Sequence, residues 1–121
     1  LTQYAMAADR LQGELAELLT PWQPAVIQLV KATCDGAGER LIGVCGEAAG
    51  DPLLALVLVG VGIRSLSMAA GKITAVKAAL SRHSLEQCRR IADAALATCS
   101  PEEARTAALE LADPSVEVLV S

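Results

Sequence analysis

The chain has 121 residues, the size of one ordinary domain, and 53% of them are hydrophobic, with no Phe, one Trp and one Tyr. Its interior must therefore be built from Leu, Val, Ile and Ala, as in folds that pack helices closely on parallel strands. A net charge of −4 with ten scattered basic residues speaks against a nucleic-acid surface, and the longest run free of charged and polar side chains, 52–63, is far short of the ~20 apolar residues that span a bilayer.

Pro24 opens a run at 25–33 in which Val26, Ile27, Leu29 and Val30 have helical spacing, and Gly36 and Gly38 close it. Residues 41–45 read as a short buried strand, with Gly43 allowing close packing and Gly46 breaking the strand directly after Cys45. Asp51 and Pro52 form a helix start, the aspartate as N-cap and the proline in the first turn, and Gly60 is the expected stop after 53–59. A second strand is expected at 64–68. Helices follow at 72–81, 84–98 and 100–112, with a last short one after Asp113-Pro114. Ser84 with Gln87 and Ser100 with Glu103 both have capping-box spacing.

This order predicts a parallel α/β architecture with two strands and a mostly helical remainder. Two parallel strands leave open edges and faces that need cover, so the chain reads as a piece of a larger sheet or barrel.

In parallel α/β folds, reactive groups stand where the strands end and the following loops leave the sheet. Cys45 occupies such a place, followed by Gly46, Glu47, Gly50 and Asp51. It can be a structural cysteine or a functional one. No His or second acid lies beside it, so a paired nucleophile has no support. Cysteine thiols have a reference pKa of about 8.5, and a protonated thiol can deliver a proton to a carbanion-like carbon near neutral pH.

Arg10 follows Asp9 and a short apolar stretch. It reads either as a surface ion-pairing residue or as a guanidinium fork for phosphate or carboxylate. Cys34, Cys45, Cys88 and Cys99 are widely spaced and contain no Cys-x-x-Cys pair, which argues against zinc. Reduced thiols in a cytoplasm are expected, since no signal peptide opens the chain. His83 reads as an exposed residue near a helix start. Met6 and Met68 read as gap-fillers, and Glu102, Glu103, Arg105 and Glu110 as a solvated helix face.

Two segments carry a resemblance: Leu1-Thr2-Gln3-Tyr4-Ala5-Met6-Ala7-Ala8-Asp9-Arg10, and Val44-Cys45-Gly46-Glu47-Ala48-Ala49-Gly50-Asp51-Pro52. Both resemble enzyme I of the bacterial sugar phosphotransferase system, the phosphoenolpyruvate-protein phosphotransferase family. Ser65-Leu66-Ser67-Met68 is similar to that family's next strand. The resemblance runs in order from Leu1 to about residue 100.

It implies that 1–121 is a C-terminal fragment of a (β/α)8 TIM barrel, holding its last two strands and the surrounding helices; a whole barrel takes about 250 residues. It further implies that phosphoenolpyruvate binds at the barrel mouth with Mg²⁺. The phosphoryl group then passes to a histidine on an N-terminal domain and on to the histidine phosphocarrier protein, and the remaining enolate is protonated to pyruvate. By the same resemblance Cys45 matches the proton donor and Arg10 a phosphate-binding arginine. The family's metal ligands match no residue of this chain and are expected upstream of Leu1, and His83 does not match the phosphorylated histidine. A homodimer formed through the barrel is also implied. The segment around Cys45 is similar, at lower weight, to pyruvate phosphate dikinase. A different reading is an isolated chain that serves only as a dimerisation module.

Overall fold

The computed structural model describes residues 21–120. Among the described residues the element order is α1 (Pro24–Gly36), β1 (Gly43–Cys45), α2 (Pro52–Val61), β2 (Ser65–Ser67), α3 (Ala70–Ser81), α4 (Leu85–Leu96), α5 (Pro101–Leu111) and α6 (Ser115–Val120). The architecture is α/β, with two parallel strands and a mainly helical remainder.

Helix α2 is the centre of the molecule. Its sequence, Pro-Leu-Leu-Ala-Leu-Val-Leu-Val-Gly-Val, has no polar face, and Pro52 to Leu58 and Val61 are all buried, as expected of a helix that is apolar all round. It starts where expected: the Asp51 side chain accepts hydrogen bonds from the N–H groups of Leu53 (3.0 Å) and Leu54 (3.3 Å), and Pro52 stands in the first turn. These bonds satisfy donors that the first helical turn leaves free.

The expected stop at Gly60 is corrected. Gly60 is inside α2, which runs on to Val61 and is capped by Gly62 at φ 124°. The lack of a side chain at Gly60 serves packing, because α4 crosses there and a Cβ would lie 2.2 Å from the Cys88 carbonyl oxygen. Gly62 makes the turn, and Arg64 completes it by donating to the carbonyls of Val59 (3.0 Å) and Ile63 (2.9 Å). A cation at a helix C-terminus also opposes the helix dipole.

The strands pair in register Gly43 with Ser65, Val44 with Leu66 and Cys45 with Ser67. Backbone bonds from Arg64 N–H to Ile42 O and from Gly46 N–H to Ser67 O, each 3.0 Å, extend the ladder by one step at either end. Val44 and Leu66 are partly buried against the helical core. Strand alternation therefore puts Gly43, Cys45, Ser65 and Ser67, all exposed, on the opposite face.

Helix α4 buries Cys88, Ile91, Ala92 and Ala95, one stripe at helical spacing. Ala104 and Ala108 of α5 are also fully buried, so small residues line this side of the core. The capping box of Ser84 and Gln87 is complete. At α5 the box is half made: Ser100 Oγ accepts from Glu103 N–H (3.2 Å), while the Glu103 carboxylate accepts from Cys99 N–H (3.3 Å).

His83 departs from the expected exposed residue. It is half-buried, its Nδ1 lies 2.7 Å from Ala79 O, and its Nε2 accepts from Asp113 N–H at 3.0 Å. A neutral ring with its proton on Nδ1 makes both bonds, and so ties the end of α3 to the turn before α6. No described helix is long and apolar enough to cross a membrane.

Candidate functional site

Cys45 is the last residue of β1 and is exposed on the face turned away from the helices. Gly46 directly after it has φ 102°, a backbone state open to glycine at little cost, and its N–H is held by Ser67 O. The loop then tightens through a bond from Gly50 N–H to Glu47 O (3.1 Å), buries Ala49 completely, and ends on Asp51. The strand-end position predicted for Cys45 is thus observed, with strand pairing on one side and a closely tied loop on the other.

The rear of that loop has an anchor from a distant segment. The indole Nε1–H of Trp22 donates to Asp51 Oδ2 at 3.1 Å, while Oδ1 serves the helix N-terminus. Trp22 is 6% exposed, so the bond is made at the edge of the core. Nothing in the local sequence announces this pair, because its members are 29 residues apart.

A cleft of about 670 Å³ opens beside the same strand ends, lined by Glu47, Asp51, Met68, Lys72, Arg105 and Leu119 among others. Cys45 does not line it, although Gly46, the next residue, does. Lys72 could be sought from sequence as a cation just after the second strand. Arg105 comes into place only through the packing of α5.

All four cysteines are free. Burial raises the thiol pKa of Cys88, and burial first and Asp35 second raise that of Cys34. Arg10 lies outside the described residues, so its place relative to Cys45 is not described. Among the described residues no group of three or more His, Cys, Asp or Glu side chains could hold a metal ion.

The fold is that of an α/β domain with parallel strands, and Cys45 stands at the strand end where such folds place their ligand sites. The family described as the PEP-binding domain of PEP-utilising enzymes matches residues 1–85, and this chain belongs to it. The phosphoenolpyruvate-protein phosphotransferase of Streptomyces coelicolor is 52% identical over 110 residues, 89% of this chain and 20% of that protein. The multiphosphoryl transfer protein of Xanthomonas campestris is 42% identical over 87% of this chain and 13% of its own length. A phosphoenolpyruvate-protein phosphotransferase of Haloferax volcanii is 43% identical over 79% of this chain and 17% of its own. The chain thus spans a fifth or less of each of these relatives.

Proposed function

We propose that residues 1–121 are the C-terminal part of the phosphoenolpyruvate-binding (β/α)8 barrel of a phosphoenolpyruvate-protein phosphotransferase, with β1 and β2 as its last two strands. The observation that carries this reading is the position of Cys45, exposed at a strand end on the face away from the helices.

Phosphoenolpyruvate binds at the barrel mouth, and Arg10 holds its phosphate through a bidentate guanidinium. The bond from phosphorus to the enol oxygen breaks as the phosphoryl group moves to a histidine of an N-terminal domain, from which the histidine phosphocarrier protein takes it. The enolate left behind is protonated at C3. The Cys45 S–H bond breaks, a C–H bond forms, the enolate oxygen becomes the carbonyl of pyruvate, and the thiolate regains a proton from water. Mg²⁺, held by residues outside this chain, supplies neutralisation of phosphate charge when bound. The parent enzyme works in the cytoplasm as a homodimer.

The test is Cys45→Ala in the full-length enzyme. Turnover should stop while phosphoenolpyruvate still binds, because the proton donor is lost and the anion site is kept. Undiminished pyruvate formation would overturn the assignment. Arg10→Ala should weaken binding and transfer together, and an unchanged affinity and rate would remove Arg10 from the site.

A further inference from the structure

We infer that Trp22 and Asp51 form a clamp that positions the loop behind Cys45 and thereby the thiol itself; this rests on the reading of Cys45 as the proton donor. The loop from Gly46 to Gly50 has two ends to be fixed. Its front is held by the bond from Gly46 N–H to Ser67 O. Its rear is drawn together by the bond from Gly50 N–H to Glu47 O and joined to distant parts of the fold by the Asp51 side chain, which is used twice.

Capping α2 needs only one side-chain oxygen, and Ser, Thr or Asn would supply it as well as Asp. Here Oδ1 takes both helical N–H groups and Oδ2 takes the indole N–H of Trp22. A carboxylate is the side chain that offers two acceptor oxygens at once, and an ionised acceptor makes the stronger bond. With both oxygens engaged from different directions, the carboxylate cannot rotate, and the loop end it belongs to is fixed against the core.

Trp22 stands just before α1, in the part of the chain that leads from Arg10 into the described fold. The clamp therefore ties two stretches that are far apart in sequence, one of which carries Cys45. Misplacing a reacting group by about 1 Å can cost about a hundredfold in rate. A partly loosened anchor should cost less. Trp22 and Asp51 are positioning residues in this scheme, since neither touches the reacting atoms.

The experiment uses the full-length phosphotransferase with Trp22→Phe, which keeps an aromatic ring and removes the N–H, and Asp51→Asn, which keeps a capping oxygen and gives up one acceptor. The reading is the rate at which solvent deuterium enters the C3 methyl group of pyruvate, beside the KM for phosphoenolpyruvate and the melting temperature. Each variant should slow exchange about tenfold with KM nearly unchanged and the melting temperature lowered by only a few degrees through the lost bond, and the double variant should be no slower than the slower single one, because both remove the same bond.

Unchanged exchange in both single variants would overturn the clamp, as would a loss of exchange matched by an equal loss of affinity for phosphoenolpyruvate or by unfolding at the assay temperature. Cys45→Ala separates the two ideas. If it keeps exchange, the donor assignment falls and the clamp with it; if it abolishes exchange while Trp22→Phe and Asp51→Asn exchange normally, the clamp alone is wrong.

Discussion

Gly60 of α2 meets the backbone of Cys88 on α4 so closely that a Cβ at Gly60 would stand 2.2 Å from the Cys88 carbonyl oxygen and 2.8 Å from Ala92 Cβ. Two helices pressed together at one glycine make that position intolerant, since the obstacle is backbone and cannot rotate away. Gly60→Ala should destabilise the fold by about 3 kcal/mol, the upper part of the usual range for overpacking. Gly36, near the end of α1, is the control: a Cβ there meets nothing within 4 Å. Gly36→Ala should stabilise by about 0.5 kcal/mol through the entropy of the unfolded chain. Urea unfolding of both variants checks the pair, and equal midpoints would contradict it.

The sequence made the helix starts readable because their chemistry is local. Asp51 before Pro52 and Ser84 before Gln87 carry their bonding partners within three residues, and both caps form. Gly60 misled for the opposite reason. A glycine that ends a helix and one that admits a neighbouring helix look alike until the neighbour is known. The position of Cys45 was readable, as the end of a short apolar run before glycine. The Trp22 bond to Asp51 and the His83 bond to Asp113 were not, since they join residues 29 and 30 positions apart and are products of packing.

His83 should matter to stability through both ring nitrogens. His83→Ala removes the acceptor for Asp113 N–H and the partner of Ala79 O, and the expected loss is about 2 kcal/mol, two hydrogen bonds of ordinary net strength. Hydrogen exchange should quicken most at the Asp113 amide and in α6. Unaltered protection of that amide would show that the ring bond contributes nothing.

The four thiols should separate by reactivity. Cys45 and Cys99 are exposed, Cys34 is partly covered and Cys88 is buried. In native protein at mildly alkaline pH, a thiol reagent should modify Cys45 and Cys99 first, Cys34 more slowly and Cys88 only on unfolding, because burial hides the sulfur of Cys88 and disfavours its thiolate. The raised value also sets a direction with pH. The stabilisation it represents is fully present below the ordinary thiol range. It is lost as pH climbs from there through the folded-state value, since the unfolded chain ionises first. Peptide mapping after timed labelling gives the order, and early labelling of Cys88 would contradict it.

Isolated, the chain should self-associate. Among the described residues β1 and β2 pair only with each other, so each has an outer edge able to accept a further strand. Beside β2 a groove lined by Ile63, Leu66, Met68, Ile73, Val76 and Leu80 adds apolar surface, with Ile73 exposed to 39%. In a closed barrel such edges and grooves are covered by neighbouring strands and helices. Alone, a second copy is the cover at hand, and an interface shared by two copies can bury the same patch on each. Light scattering on residues 1–121 should give a mass above the monomer that rises with concentration, and Ile73→Lys should lower it. A monodisperse monomer at all concentrations would mean that the groove and edges are protected by the chain itself.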